Sequence, residues 1–96
     1  MKMYQQFHLD KEWADKERSK TGRSPESLTV ASADRLLSGV AQMGYEVLQG
    51  SEALNGVPTT VIIGGESRRN PKDDFYRLAE ELGLRFRSGD YFRSAK

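Results

Sequence analysis

From Val57 to Gly83 the chain runs through a β-branched strand, a pair of glycines, a basic loop and a helix with recognisable ends. Val61, Ile62 and Ile63 are consecutive β-branched residues, and such a run suits a central strand covered on both faces. Pro58 is tolerable only near the start of that strand or at an unpaired position. Asn70 then stands where a helix N-cap belongs, Pro71 where a first helical residue belongs, and Asp73 in the acidic-favouring first turn. Phe75, Leu78, Ala79 and Leu82 repeat at helical spacing. Gly83 stops the pattern, and Leu84 is placed for the apolar contact that accompanies such a stop. Asp73–Arg77 and Arg77–Glu81 are spaced for i,i+4 ion pairs.

A second helix is expected before it. Ser32 suits an N-cap, Ala33, Leu36, Leu37, Val40 and Ala41 share one face, and Gly44 suits the C-terminal stop. Gly39 inside this helix costs about 1 kcal/mol relative to alanine, and one use for it is close helix packing. Leu28–Ala31 reads as a short strand or extended lead-in, and Tyr45–Leu48 as a strand. Gly50–Gly56 reads as a loop ending in the Asn55–Gly56 turn signal. Near the N-terminus Phe7 and Leu9 alternate with Gln6 and His8, as in a short strand over residues 3–9; a helix beginning near Leu9, with Trp13 four residues on, is the competing reading. The tail reads as a small hairpin turning at Ser88–Gly89, or as a strand and a stub. In the hairpin Arg87 would face Asp90 and Phe86 would face Tyr91. The order is β, charged segment, β, α, β, β, α, β. It defines an α+β fold with a small, mostly antiparallel sheet and two helices packed on one face.

Ninety-six residues make one small domain, 1–96. With 36% apolar residues and a mean hydropathy of -0.71, its core must be lean. Residues 10–27 hold ten charges in eighteen positions and Trp13 as the only large apolar anchor. Asp10, Glu12, Lys16 and Lys20 suit i,i+4 pairs if the first half is helical, and Thr21–Pro25 breaks any helix. The segment is expected to be mobile or loosely docked.

Fifteen basic and fourteen acidic residues leave a net charge of +1, so no global field draws the chain to nucleic acid or an acidic membrane. The absence of cysteine excludes disulfides, zinc–thiolate sites and thiol catalysis. Met1–Gln6 lacks the apolar region of a secretory signal, and no apolar run approaches the ~20 residues that span a bilayer. A soluble cytoplasmic protein is expected, with no membrane partner.

Two stretches have the composition of a binding surface. In the first, Gly64 and Gly65 could turn backbone N–H groups toward an anion, while Ser67, Arg68, Arg69 and Asn70 add a hydroxyl, two guanidinium groups and a helix start. It is neither a Walker motif nor a dinucleotide fingerprint. A strain-relieving turn with solvated arginines uses the same residues. In the second, Arg85, Arg87, Arg93 and Lys96 interleave with Phe86, Tyr91 and Phe92. Arginine among aromatics suits base stacking or a protein hot spot. Ordinary alternation, Phe86 inward and Arg85 and Arg87 outward, explains the same pattern.

His8, Asp10 and Glu12 would line one strand face, but a lone histidine without cysteine is weak grounds for a metal, and none is assigned. No nucleophile elbow accompanies any serine, and Asp73–Asp74 and Glu80–Glu81 diverge around their helix. No catalytic residue or cofactor is assigned. The expected function is a non-enzymatic binding module, of adaptor or inhibitor type, engaging a protein or nucleoprotein partner through the Arg/aromatic surface. Homodimerisation would extend its small core. Single-stranded nucleic-acid binding and a nucleotide or phosphate site at Gly64–Asn70 are the alternatives.

Overall fold

The computed structural model describes residues 3–65 and 71–93, the side chains of Phe92 and Arg93 excepted. Six strands and three helices follow in the order β1 (Met3–Leu9), α1 (Lys11–Thr21), α2 (Val30–Gln42), β2 (Glu46–Gln49), β3 (Ala53–Leu54), β4 (Val57–Pro58), β5 (Thr60–Gly65), α3 (Pro71–Glu81) and β6 (Phe86–Arg93). The main sheet is antiparallel throughout, with strand order β2-β5-β1-β6, and β3 and β4 form a separate hairpin. The expected α+β fold is therefore the observed one, with one helix more than expected.

The two faces of the sheet follow from period-2 alternation. Gln5, Phe7 and Leu9 of β1 are in register with Ile63 and Val61 on one side and with Tyr91, Ser88 and Phe86 on the other. Phe7, Leu9, Val61, Ile63 and Phe86 are buried together with Ala33, Leu36 and Val40 of α2 and Phe75 and Ala79 of α3. These two helices cover this face. At its centre Phe75 stacks on Phe7 with ring centroids 4.0 Å apart and meets Phe86 edge-on at 5.1 Å. Such aromatic contacts add about 0.5–1.5 kcal/mol each beyond area burial. The opposite face carries Gln6, His8, Leu48, Thr60 and Ile62, all half-buried or exposed. Ile62 thus lacks the cover expected of a central strand. β5 is central in strand order, but the helices lie on the side of Val61 and Ile63.

Local chemistry explains most boundaries. Gly83 adopts a left-handed conformation, with φ of 75°. Its N–H donates to Glu80 and that of Leu84 to Ala79, which satisfies the last carbonyls of α3. Asn55 and Gly56 both have positive φ, 53° and 82°, and turn the chain tightly between β3 and β4. Much of the expected Gly50–Gly56 loop is accordingly hairpin. The β-branched strand expected from Val57 onward is split, because Val57–Pro58 pairs with Ala53–Leu54 while Thr60 onward joins the main sheet. Pro58 has no N–H to give a ladder, so the break falls beside it.

Three further expectations are corrected. Residues 28–31 form no strand. Leu28 is the buried anchor of a turn, its N–H donating to Pro25, and α2 starts at Val30 with Thr29 as cap. The Thr29 hydroxyl accepts from the N–H of Ser32, so Ser32 lies inside the helix it was expected to cap. Ala41, assigned to the buried face of α2, is exposed. The charged segment 10–27 contains α1, capped by Asp10, which accepts from the Trp13 N–H, and ended by Gly22. Ala14 is wholly buried and Trp13 packs against the core.

The tail is one continuous strand rather than a hairpin. β1 offers a partner along its whole length, and Ser88–Gly89 does not turn. Instead the register shifts between Gln5 and Phe7, so that Gly89 and Asp90 together oppose Gln6. This β-bulge is stitched by side chains. Gln5, 3% exposed, donates from Nε2 to the carbonyls of Gly89 (3.0 Å) and Asp90 (3.3 Å), and Gln6 Oε1 accepts from the Asp90 N–H.

Candidate functional site

Gly64 and Gly65 sit within β5, paired with Tyr4 and Met3 of β1, and do not form a turn. Neither has positive φ. Gly64 has a steric role, since a Cβ there would run into the Tyr4 ring. Tyr4 lies across the glycine, and its hydroxyl donates to Glu46 Oε2 at 3.0 Å on β2. Ser67, Arg68, Arg69 and Asn70 lie outside the described residues.

The C-terminal Arg/aromatic stretch is divided by its strand. Phe86, only 8% exposed, points into the core and offers no face for stacking. Arg85 and Arg87 point outward, following the alternation of a one-sided strand. Arg87 is tied to Glu12 at 2.9 Å and to Asp10 at 3.5 Å. Its pKa is raised, chiefly by the hydrogen bond it donates to Glu12 and then by the charge of Asp10. Tyr91 is 54% exposed. The Arg93 backbone ends β6, and its side chain lies outside the description. Arg85, Phe86, Arg87 and Tyr91 therefore do not converge.

Arg85 instead joins a different constellation. A cleft of about 960 Å3 opens between α1, the 23–27 segment, the end of α3 and the start of β6. Its floor is Ala79, Leu84 and Phe86, and half-buried Trp13 and Tyr76 supply aromatic surface. Arg23 and Arg85 contribute two guanidinium groups; Asp10, Glu17, Glu26 and Glu80 contribute carboxylates. Neither arginine forms an ion pair among the described residues. The walls are held in place by contacts among the lining residues themselves. Asp10 caps α1, and the Ser27 hydroxyl donates to the Gly83 carbonyl at 2.6 Å, fastening the 23–27 segment to the end of α3. The size of the cleft lies within the range of ligand pockets, although its lining is more polar than is usual for them. Trp13, as the lone large apolar residue of a charged segment, was its one visible sign in the sequence.

His8, Asp10 and Glu12 separate. His8 is exposed on the helix-free face beside Thr60, Asp10 caps α1, and Glu12 binds Arg87. Among the described residues no group of three His, Cys, Asp or Glu side chains could hold a metal ion. The expected Asp73–Arg77 and Arg77–Glu81 pairs give way to Arg77–Asp74 at 3.2 Å. Asp74 also accepts from the Tyr45 hydroxyl at 2.6 Å.

Comparison of the chain with protein-family models, with curated proteins and with solved structures returns no match. Among the described residues, no helix is long and apolar enough to cross a membrane.

Proposed function

We propose that this protein is a non-enzymatic binding module whose α1–α3 cleft receives a segment of a protein partner. One observation carries the proposal. Arg23 and Arg85, without ion-pair partners among the described residues, flank the same cleft as half-buried Trp13 and Tyr76. Trp, Tyr and Arg are the residue types that dominate protein interfaces. The proposal keeps Arg85 and Phe86 of the expected Arg/aromatic surface and replaces Arg87 and Tyr91 with Arg23, Trp13 and Tyr76.

Charge argues for a polypeptide over a nucleic acid. Four carboxylates line the cleft against two guanidinium groups, and a phosphate backbone would meet net repulsion. A peptide carries both signs and suits a mixed lining.

Trp13 is the only tryptophan, so its emission reports directly on the cleft. Titration with pools of short mixed-sequence peptides should shift that emission for a subset. Arg85→Glu should abolish the shift and leave the melting temperature close to wild type. Silence toward every pool would remove the proposal. A shift caused by a single-stranded oligonucleotide, weakening steeply with salt, would favour nucleic-acid binding instead. Arg68→Ala with Arg69→Ala separates the two surfaces, because binding in the cleft should survive that double change.

A further inference from the structure

Among the described residues β6 ends the sheet, and its outer side carries the means to recognise itself. The Leu9 N–H donates to Thr59 at 2.9 Å, away from β6. Gln5, Phe7 and Leu9 therefore direct their backbone groups to the β5 side. Their register partners Tyr91, Ser88 and Phe86 direct theirs outward from the sheet. The Asp10 N–H, which donates inward to Arg85 at 3.0 Å, fits the same alternation.

We propose that a second copy of this chain pairs antiparallel with this edge, with Ser88 of each copy at the two-fold axis. Phe86 then opposes the second copy's Tyr91, and Arg87 lies beside the second copy's Asp90, each contact made twice. The bulge makes this register possible. Phe86 and Tyr91 are five residues apart and would lie on opposite faces of a regular strand. The extra residue at Gly89–Asp90 returns them to one face, the helix-covered one, and sets Arg87 and Asp90 toward the other. Charged side chains and bulges usually protect an edge from pairing. Here the charges are self-complementary. Arg87 is 59% exposed even while bound to Glu12, and Asp90 is exposed with no ion-pair partner among the described residues. Tyr91, 54% exposed, would be covered in the pair.

Sedimentation velocity of the full chain, from micromolar to near-millimolar concentration, should show the mass rising toward twice 10.8 kDa. Asp90→Arg alone and Arg87→Glu alone should each remain monomeric, because each sets like charges against one another. Mixed together they should form a heterodimer, since the swap restores both pairs. The chain has no cysteine, so Ser88→Cys provides an independent probe. Opposed residues of a hydrogen-bonded pair sit about 5.5 Å apart at Cα, within the disulfide range of about 4.4–6.8 Å. Mild oxidation should therefore cross-link Ser88→Cys, while Ser51→Cys should stay uncoupled. Circular dichroism confirms that each variant is folded. A wild-type chain monomeric throughout overturns the proposal. So does a dimer that survives Asp90→Arg, or a folded Ser88→Cys variant that does not cross-link.

Discussion

The side-chain amide of Gln5 donates to the backbone carbonyl of Gly89 at 3.0 Å, tying the most buried polar side chain of β1 to the bulge in β6. The same nitrogen reaches the carbonyls of Asp90 and Gln6. A bulge leaves ladder groups unpaired, and Gln5 satisfies them from inside the sheet. Gln5→Met keeps the size and removes the donor. It should destabilise the domain by about 1–3 kcal/mol, the cost of stranding partly buried carbonyls. Urea unfolding measures this, and β6 amides should exchange faster than those of β5.

Phe75 is wholly buried and touches Phe7, Tyr76 and Phe86. Phe75→Ala should cost about 3–5 kcal/mol. A domain of this size holds on the order of 5–14 kcal/mol, so the variant should lie near its unfolding threshold at physiological temperature. Thermal unfolding followed by circular dichroism checks this, with Phe75→Leu expected to fall between the two.

α2 and α3 approach closely at Gly39. A Cβ added there would come within 2.5 Å of Leu78 Cδ2. Alanine gains up to about 1 kcal/mol of helix propensity over glycine, whereas overpacking costs about 1–3 kcal/mol. In the wild type the Leu78 methyl must swing aside, which offsets the helix-propensity gain of Gly39→Ala. In a Leu78→Ala background the contact is gone, and the same change should stabilise more. A larger gain in that background, read from a double-mutant cycle, is the expected result.

Gly83 combines a φ of 75° with a near neighbour, because an added Cβ would lie 3.0 Å from that of Ser27. Gly83→Ala should lower stability by about 1 kcal/mol or more, equivalent to a fall of roughly 4–8 °C per kcal/mol in melting temperature. Ser27→Ala loses only an exposed hydrogen bond to Gly83 and should shift the melting temperature by less. If the peptide cleft is as proposed, Ser27→Ala should also weaken binding, because Ser27 fastens its wall.

What the sequence discloses about this fold depends on the range of the interactions. α3 is legible because its signals are local: the Phe75–Ala79 spacing and the Gly83 stop act within a few residues, and the Asn55–Gly56 turn is likewise self-contained. α1 is obscured because its buried face is little more than Ala14 and part of Trp13, too small to stand out among charges. The pattern at Ser88–Gly89 suits a turn or a bulge equally. Only the presence of β1 decides between them, and β1 lies some eighty positions earlier in the chain. The cleft is hidden for the same reason. Trp13, Tyr76 and Arg85 meet only after α1 and α3 have docked. At Gly64 the sequence showed flexibility, whereas the structure uses the absence of a side chain beneath Tyr4.

The position of β1 has a consequence for biosynthesis. Both of its neighbours, β5 and β6, come from the second half of the chain. As the ribosome delivers residues 3–9, neither of their two partner strands has yet been made, and the Phe7 ring must wait for Phe75 and Phe86. Contacts of such long sequence separation slow folding. The nascent first half, with α1 and α2 formed but the sheet absent, should gain its native protection only after β6 has emerged from the exit tunnel. Assembly of this sheet is thus timed by β6, and a transcript truncated before residue 86 should yield a chain that degrades rather than folds.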